Sequence, residues 1–484
     1  MSLQTRFVFK QGAIYGVGNV LTKFSGLLLI MLYMKFISAT EFGAVALFET
    51  IFQFILLLSG LGVKGGFNRW YHDMSDGDDK KALFFTSWSF NFASSFMAVT
   101  LVALLLWFFA FDVFKMELPR GVLTYFLVGT FFRLLYDVPF YLLRLEQKAR
   151  EQTLWLGLNL LLLLGFSFYF LWYRQSGWTG IYAAQMWAHL LTFLAMLPFI
   201  VRRMKPKFLM PQLREMLHYG LPLAVSNVLT VLLTLSDRHI INQYQNLDEV
   251  AGYSMAFKVA NLLQMVVVVS LITSYTNYFF KTMNRPGSMQ FFASFTRLYL
   301  LLLALASLAL VLFAPELIFL LSFGSEFFQA SVVLVPVLLV GLIFSGYRQL
   351  LVLPLNKHKR SKRISLILIF SALINLAGNF WLVPLYGKMG ASWATLMAQA
   401  VAMLWFIYEV RRCEAVNLQT GKSLLLFGIW LAMVALSSFV ADLSFWAGLL
   451  MKGGVLSLFL LLLWFLRLVG PEDWTAALRF FRKE

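Results

Sequence analysis

The sequence predicts an all-α membrane protein with about fourteen transmembrane helices. We expect two pseudo-symmetric six-helix lobes around a central cavity, with two extra helices at the C-terminus. Three observations predict this fold: an apolar composition, a series of long apolar runs and a weak internal repeat. Of the 484 residues, 60% are hydrophobic and 13% are charged, and the mean hydropathy is +0.76. No water-soluble domain could bury that much apolar surface, so the chain must cross a membrane many times.

The predicted spans follow one another with short polar connections. About 20 consecutive apolar residues are needed to cross a bilayer as a helix. Runs of this kind cover roughly 11–37, 41–65, 82–111, 120–143, 152–173, 178–201, 218–243, 250–280, 296–315, 331–355, 363–385, 389–410, 423–442 and 448–468. The first run is long and no small-residue cleavage site follows it, so we interpret it as a retained span rather than a signal peptide.

The distribution of Lys and Arg predicts the orientation of these spans. The loops on one side, together with both termini, hold 28 of the 40 cationic residues, whereas the loops on the other side hold six. Because positive residues accumulate in cytoplasmic loops, we expect this Lys- and Arg-rich face and both termini to be cytoplasmic. Topology therefore explains the net charge of +17, and no nucleic-acid partner is expected.

A weak internal repeat divides the chain into two halves. The stretch GLPLAVSNVLT at 220–230 matches GAIYGVGNVLT at 12–22 at an offset of 208 residues, and G-x-x-G at 387–390 matches G-x-x-G at 177–180. Repeats of this kind are found in many transporters. We expect an N-terminal lobe over 1–201, a cytoplasmic linker over 202–217 that lies on the membrane surface, a C-terminal lobe over 218–417, and two helices with a cytoplasmic tail over 418–484.

Polar stripes on four predicted spans indicate a wet cavity between the lobes. Asn19 and Lys23 share one face of the first span, and Glu49 lies on the polar stripe of the second. The seventh span carries Ser and Thr at helical spacing, and the eighth carries Lys258 and Asn261. Charges at membrane depth usually face a bundle interior or a water-filled cavity. For a single Ser, Thr or Asn, the alternative is that it only bonds one helix to another.

Two charged pairs carry a second set of expectations. Arg133 and Asp137 lie four residues apart in the fourth span, so we expect them to pair. The pair is either purely structural or part of the cavity. Asp237 and Arg238 lie near the outer end of the seventh span, where they either cap the following hairpin or act as a gate.

Some conspicuous residues are expected to have no role in a site. Lys64 and Arg348 lie near predicted cytoplasmic ends of spans, and we expect both side chains to snorkel to the interface. The five histidines are scattered without ligand spacing, and Cys413 is the single cysteine, so no metal site and no intrachain disulfide are expected.

Two regions of the sequence resemble a known family. SDRHII at 236–241, with AGY at 251–253 and AFKVA at 256–260, resembles the seventh and eighth helices of bacterial polysaccharide-unit flippases. That family belongs to the multidrug/oligosaccharidyl-lipid/polysaccharide (MOP) exporter superfamily. NLAGN at 375–379, LVPLYG at 382–387 and GASWAT at 390–395 resemble its eleventh and twelfth helices. With the span count and the repeat, the resemblance covers nearly the whole chain.

The resemblance implies a carrier of the bacterial inner membrane and not an enzyme. It would flip an undecaprenyl-diphosphate-linked oligosaccharide, an O-antigen or exopolysaccharide repeat unit, from the cytoplasmic to the periplasmic leaflet by alternating access of the two lobes. Lys23 and Lys258 are the candidates for the diphosphate contact, and Asn19, Asn261 and Arg133 are further cavity candidates. The first span has Lys23 where the peptidoglycan-precursor branch has several arginines, which disfavours lipid II. Membrane lipids and other polysaccharide-assembly proteins are the expected partners.

Gating and energy coupling have four candidate residues: Glu49, Asp137, Asp237 and Arg238. The carboxylates could bind a coupling H⁺ or Na⁺, and no other cofactor is expected. Because Glu49 and Lys258 occupy equivalent positions in the repeat, we also expect them to pair across an outer gate.

Two other functions remain open from the sequence. A drug or cation exporter of the same superfamily would favour acidic cavity groups and usually stops at twelve helices. A membrane-embedded polysaccharide polymerase or ligase would need a sizeable periplasmic loop, which the short connections do not supply.

Overall fold

The protein is described by a computed structural model that covers residues 26, 28–74, 77–146, 148–284, 287–358, 360–413, 420–437, 445–466 and 468. Within these ranges every regular element is a helix, which confirms the predicted all-α class. Ten helices in the described ranges are long and apolar enough to cross a bilayer, so the chain is a multi-pass membrane protein. The count of fourteen spans stays a prediction.

Contacts between Cα atoms divide the chain into two compact units. Unit 1 comprises Met1–Ala251 and Leu321–Phe323, and unit 2 comprises Gly252–Leu320 and Gly324–Glu484. The helices of unit 1 are α1 (28–34), α2 (Ala39–Leu58), α3 (Val63–Asp73), α4 (Gly77–Phe114), α5 (Val122–Leu135), α6 (Asp137–Leu145), α7 (Ala149–Phe168) with a π-helical turn at Tyr169–Tyr173, α8 (Thr179–Arg202) and α9 (Met210–Tyr244). Helix α10 (Leu247–Ala260) begins in unit 1 and ends in unit 2.

Helix α9 groups with the first half of the chain. It packs against α2, α3 and α4. With 35 residues, it is roughly 50 Å long at 1.5 Å per residue. It begins at Met210, so the second part of the predicted 202–217 linker is already helical. The predicted lobes and linker differ from the contact units and stay a prediction.

A sharp turn joins α2 to α3. Helix α2 starts with a capping box, in which Ser38 Oγ accepts the N–H of Glu41 at 3.2 Å and the Glu41 carboxylate accepts the N–H of Ser38 at 2.7 Å. It ends at Leu58, and the chain then passes through positive φ at Gly60 (101°) and Gly62 (80°). Glycine tolerates this left-handed conformation, which lets α3 start within a few residues of the end of α2.

Unit 1 has a hydrophobic cluster at its Lys- and Arg-rich end. Phe67 of α3, Phe84 of α4, Met196 of α8 and Met216 of α9 are all fully buried in it. Beside the cluster, the hydroxyl of Tyr71 donates to Glu146 Oε1 at 3.4 Å. Burial, together with the negative charge of Glu146, raises the pKa of Tyr71 to about 12. The phenol is therefore a neutral hydrogen-bond donor at neutral pH.

An aromatic cluster occupies the opposite end of unit 1. The ring of Phe48 in α2 lies 4.5 Å from Phe114, 4.7 Å from Phe126 and 4.9 Å from Tyr182, measured between ring centroids. The interplanar angles are 34° to 56°, and the centroid distances are in the range of favourable aromatic contacts. Helices α2, α4, α5 and α8 are thereby packed together at this end.

Unit 2 is also helical where it is described. Its helices are the end of α10, a π-helical segment at Leu263–Val268, α11 (Val269–Thr282), α12 (Ser288–Leu312), α13 (Ala314–Leu321), α14 (Glu326–Gln329), α15 (Leu334–Lys357), α16 (Ser361–Cys413), α17 (Thr420–Ser437) and α18 (Phe445–Phe465). Helix α16 is interrupted at Gly387 (φ 55°, ψ −138°), between the predicted spans 363–385 and 389–410. The chain thus leaves helical geometry where one predicted span ends and the next begins, and only glycine adopts this conformation readily.

Candidate functional site

The candidate site lies where the fourth predicted span is broken. Helix α5 ends at Leu135 and α6 begins at Asp137. Pro139 has no N–H, so the carbonyl of Leu135 has no partner one helical turn ahead. Two side chains of α4 bond the carbonyls at the break: the indole N–H of Trp88 donates to Leu135 at 2.9 Å, and Asn91 Nδ2 donates to Leu134 at 3.0 Å.

Three charged side chains meet at this break. Arg133 Nη1 lies 3.6 Å from Asp137 Oδ1, so the predicted pair is present. The ammonium of Lys64, from the first turn of α3, forms an ion pair with the other carboxylate oxygen of Asp137. The side chains of Lys64, Arg133 and Asp137 are 30%, 31% and 19% exposed, so the cluster is neither fully buried nor on the open surface.

The charges of this Lys64–Arg133–Asp137 cluster do not balance. Two cations share one carboxylate, which leaves a surplus of one positive charge. Arg133 Nη1 is buried and donates no hydrogen bond within the described residues, because 3.6 Å is too long for one. A planar guanidinium with free donors is suited to hold a phosphate by two parallel hydrogen bonds.

Neighbouring side chains hold Arg133 in place. Its guanidinium carbon lies 5.0 Å from the centre of the Tyr136 ring, within the range of a cation–π contact. The Tyr136 hydroxyl lies 2.7 Å from His189 Nδ1 of α8, and Asn159 Nδ2 of α7 lies 3.2 Å from the same nitrogen. Three helices besides α5 and α6 therefore help to position the cluster: α4 at the break, and α7 and α8 through His189.

The other predicted cavity residues lie elsewhere. Asn19 and Lys23 fall outside the described residues. Lys258 is half-buried in the part of α10 that belongs to unit 2, and Asn261 follows that helix, also half-buried. Their predicted contact with a diphosphate, and the pairing of Lys258 with Glu49, stay predictions. Glu49 itself is exposed on α2.

The predicted gate residues of the seventh span lie far from the cluster. Asp237 and Arg238 are both buried near the C-terminal end of α9. They are about 30 Å along the helix from Met216, at 1.5 Å per residue, and Met216 lies at the end of unit 1 that also holds α3. Close to them, Asn242 Nδ2 donates to the carbonyl of Val113 at 2.8 Å. This part of α9 therefore belongs to the opposite end of unit 1.

Snorkelling was the wrong expectation for both Lys64 and Arg348. Lys64 turns toward Asp137 because a carboxylate is available at the helix break. Arg348 is only 8% exposed in α15, where Nη2 lies 3.4 Å from Ser345 Oγ and Nε has no hydrogen-bond partner within the described residues. One signal in the sequence could have drawn attention to Arg348, since Arg133 and Pro139 recur at the same spacing as Arg348 and Pro354.

Close backbone contacts join α9 and α10 to the elements around α2. A methyl group on Gly62 would overlap the backbone of Gly220, and one on Gly66 would overlap Met216. Near the N-terminal end of α2, a methyl group on Gly43 would overlap the backbone of Leu247. Small residues permit such close packing of transmembrane helices. Unit 1 thus holds glycine-mediated contacts at both ends of one helix.

Comparison with known sequences shows that the chain is similar to proteins of polysaccharide biosynthesis. The model of the family described as "Polysaccharide biosynthesis protein" matches residues 8–283, more than half of the chain. Capsular polysaccharide biosynthesis protein CapF of Staphylococcus aureus is 32% identical over 113 residues. That match spans 23% of this chain and 28% of CapF, well under two thirds of the relative.

Solved structures share the fold. The lipid II flippase MurJ in an inward closed conformation has a TM-score of 0.72 at 16% identity, covering 92% of this chain and 98% of MurJ. An inward-facing and an outward-facing multidrug resistance MATE family transporter have TM-scores of 0.62 and 0.61 at 16% and 15% identity, covering 85% and 84% of this chain and 96% of each transporter. At these identities the likeness shows the fold alone, which this chain shares with the flippase and the two transporters.

Proposed function

Because the chain belongs to the polysaccharide biosynthesis protein family, we propose that it transports a lipid-linked oligosaccharide across the bacterial inner membrane. The cargo is an undecaprenyl-diphosphate-linked O-antigen or exopolysaccharide repeat unit, moved from the cytoplasmic to the periplasmic leaflet. The activity is transport without a covalent step. The structures with the same fold are described as flippases and transporters, which supports this choice.

The Lys64–Arg133–Asp137 cluster is the observation that carries the proposal. A diphosphate is the charged part of such a lipid, and it must leave water to cross the membrane. Desolvating it is costly unless cations and hydrogen-bond donors replace the water. The half-buried cluster offers a surplus positive charge and the free donors of Arg133.

Asp137 has a specific role in this proposal. Without a ligand, two half-buried cations repel each other, and the carboxylate between them reduces that repulsion. When the diphosphate arrives, it competes with Asp137 for the same two cations. The carboxylate therefore weakens binding enough for release, which a carrier requires as much as capture.

The remaining predicted residues complete the path. Lys23 and Lys258 add contacts to the diphosphate, and Asn19 and Asn261 bond the sugar or line the cavity. The two lobes alternate access by separating at one end while they stay closed at the other. The contacts Gly62–Gly220 and Gly43–Leu247 support this, because each is close enough to close one end of the path. Glu49, Asp137, Asp237 and Arg238 remain the candidates for gating or for coupling to H⁺ or Na⁺.

Deleting the gene tests this function. The lipid-linked oligosaccharide should accumulate in the membrane, detected by mass spectrometry of extracted lipids, and the finished polysaccharide should be lost. A plasmid copy with Lys64→Ala or Arg133→Ala should restore transport about tenfold less well than the wild type, the loss expected for one charge-assisted contact. Arg174→Ala, which removes an exposed cation outside the cluster, is the matched control and should restore it fully.

The drug-exporter alternative predicts a different outcome. The deletion strain would become sensitive to cationic drugs and would show no accumulated lipid intermediate. The positive surplus of the cluster argues against a cationic cargo, because like charges repel in a half-buried site.

A further inference from the structure

A second candidate binding site lies in unit 1, in a cleft between α3 and α9. The cleft has a volume of about 580 Å³, which is within the range of cavities that hold small molecules. Its walls are Arg69 and Trp70 from α3 and Arg214, Glu215, His218 and Tyr219 from α9. The sequence places Arg214 and Glu215 in the predicted linker over 202–217, and His218 and Tyr219 at the start of the predicted span over 218–243.

The two aromatic rings of the cleft are held at fixed angles. The indole N–H of Trp70 donates to Glu215 Oε2 at 2.7 Å, which ties the ring of α3 to a carboxylate side chain of α9. The rings of Trp70 and Tyr219 lie 6.1 Å apart at 66°. Tyr219 is 43% exposed, so part of its side chain is accessible to a ligand. An aromatic face positioned in this way can pack against the apolar side of a sugar ring.

The charge of the cleft is positive. The guanidinium carbon of Arg69 lies 5.1 Å from the Trp70 ring centre and 5.7 Å from that of Tyr219. Among the described residues, neither Arg69 nor Arg214 forms an ion pair, and the one carboxylate, Glu215, is engaged by Trp70. Two arginines next to aromatic rings match a ligand that carries phosphate and a ring together.

We infer that this cleft binds the sugar-diphosphate headgroup of a ligand, with Arg69 and Arg214 on the diphosphate and Tyr219 against the sugar. The inference rests on the proposed function in one respect, because it takes a lipid-linked sugar diphosphate as the natural ligand. A nucleotide sugar carries the same chemistry, so the two sources must be separated by experiment.

The cleft lies between two helices, α3 and α9, that also contact each other closely. Its walls belong to the two elements that meet at Gly66 and Met216. A headgroup that bridges Arg69 on α3 and Arg214 on α9 stabilises that contact while it is bound. The cleft is thus a docking position that holds the ligand while α3 and α9 are together, and it is separate from the cluster around Asp137.

Direct binding to the full chain in lipid nanodiscs tests the inference. The probes are UDP-glucose, a water-soluble short-chain prenyl-diphosphate N-acetylglucosamine, and inorganic pyrophosphate, each titrated calorimetrically. At least one sugar diphosphate should bind, and Arg69→Ala and Arg214→Ala should each weaken it about tenfold or more. Tyr219→Ala should weaken the sugar diphosphate and leave pyrophosphate unchanged. Which sugar diphosphate binds more tightly identifies the source.

Two further variants serve as controls for this binding test. Arg150→Ala removes an exposed arginine at the start of α7, outside the cleft, and should change nothing. Arg69→Lys keeps the charge and controls for a folding defect, so it should retain part of the binding. If no sugar diphosphate binds, or if the two alanine variants bind as well as the wild type, the inference is wrong.

Transport is measured separately from this binding. One result would separate the two claims. If the arginine variants bind as well as the wild type and the lipid intermediate accumulates in the deletion strain, the inference about the cleft is wrong and the proposed function stands. If sugar-diphosphate binding depends on the two arginines but no lipid intermediate accumulates in the deletion strain, the inference about the cleft is supported and the proposed function is wrong.

Discussion

Trp88 donates its indole N–H to the carbonyl of Leu135, at 2.9 Å. That carbonyl lies one turn before Pro139, which has no N–H to offer it. In a membrane no water can take its place, so a side chain from a neighbouring helix is needed. The hydrogen bond stabilises the break between α5 and α6, and the break positions the Lys64–Arg133–Asp137 cluster.

Replacing Trp88 tests how much this hydrogen bond contributes. Trp88→Phe keeps an aromatic ring but leaves the Leu135 carbonyl without a donor, and we expect a loss of about 1–3 kcal/mol in the free energy of unfolding. The measurement is unfolding in detergent, followed by circular dichroism. Trp107→Phe, at a highly exposed tryptophan of the same helix, should leave stability unchanged. Equal stability of both variants would show that the break needs no donor.

The shared carboxylate predicts coupling between two distant positions. Asp137→Asn leaves Lys64 and Arg133 to repel each other and should lower stability. In the Lys64→Met background the same change should be less harmful, because only one cation remains. Since the cations are about one-third exposed, we expect a coupling energy of about 1 kcal/mol in a double-mutant cycle. Strict additivity of the two changes would contradict the shared ion pair.

The glycine contact at the Lys- and Arg-rich end predicts a steric effect. Gly220→Val places a branched side chain against the backbone of Gly62, so the two segments can no longer meet. We expect a loss of about 1–3 kcal/mol in stability, as for other overpacked sites, and accumulation of the lipid-linked oligosaccharide in cells. Gly157→Val adds the same side chain where no atom lies within 4 Å, and it should be tolerated. Normal stability and transport in Gly220→Val would rule out the contact.

The buried guanidinium of α15 predicts a stabilising substitution. Within the described residues, Arg348 has an unpartnered Nε and no carboxylate partner. Replacing a poorly paired buried charge with an apolar side chain of similar length removes a desolvation cost, so Arg348→Met should raise stability by about 1 kcal/mol or more. Lys362→Met, at an exposed cation, should have little effect. A destabilised Arg348→Met protein would mean that the guanidinium has a compensating interaction.

The sequence predicts the helices well because their signals are local. Apolar length marks each span, and the four-residue spacing of Arg133 and Asp137 is enough to predict their pair. The turn at Gly387 is also readable from its Pro and Gly residues. Each of these features depends on residues that are neighbours along the chain.

The sequence does not reveal contacts between distant segments. Lys64 and Asp137 are 73 residues apart, and only the packing of α3 near the break brings them together. The cleft of Arg69 and Tyr219 has the same origin, because its walls come from α3 and α9. A single sequence contains no pattern that shows which helices pack against each other. The place of Lys64 in the cluster and the cleft between α3 and α9 therefore cannot be predicted from it.

The contacts at Gly62–Gly220 and Gly43–Leu247 lie near the two ends of one helix, α2, which is about 30 Å long at 1.5 Å per residue. A carrier with two such contacts along its path does not need to form an open pore for ions, because one contact can stay closed whenever the other opens. Cells could therefore make this protein in quantity without discharging the voltage across their membrane.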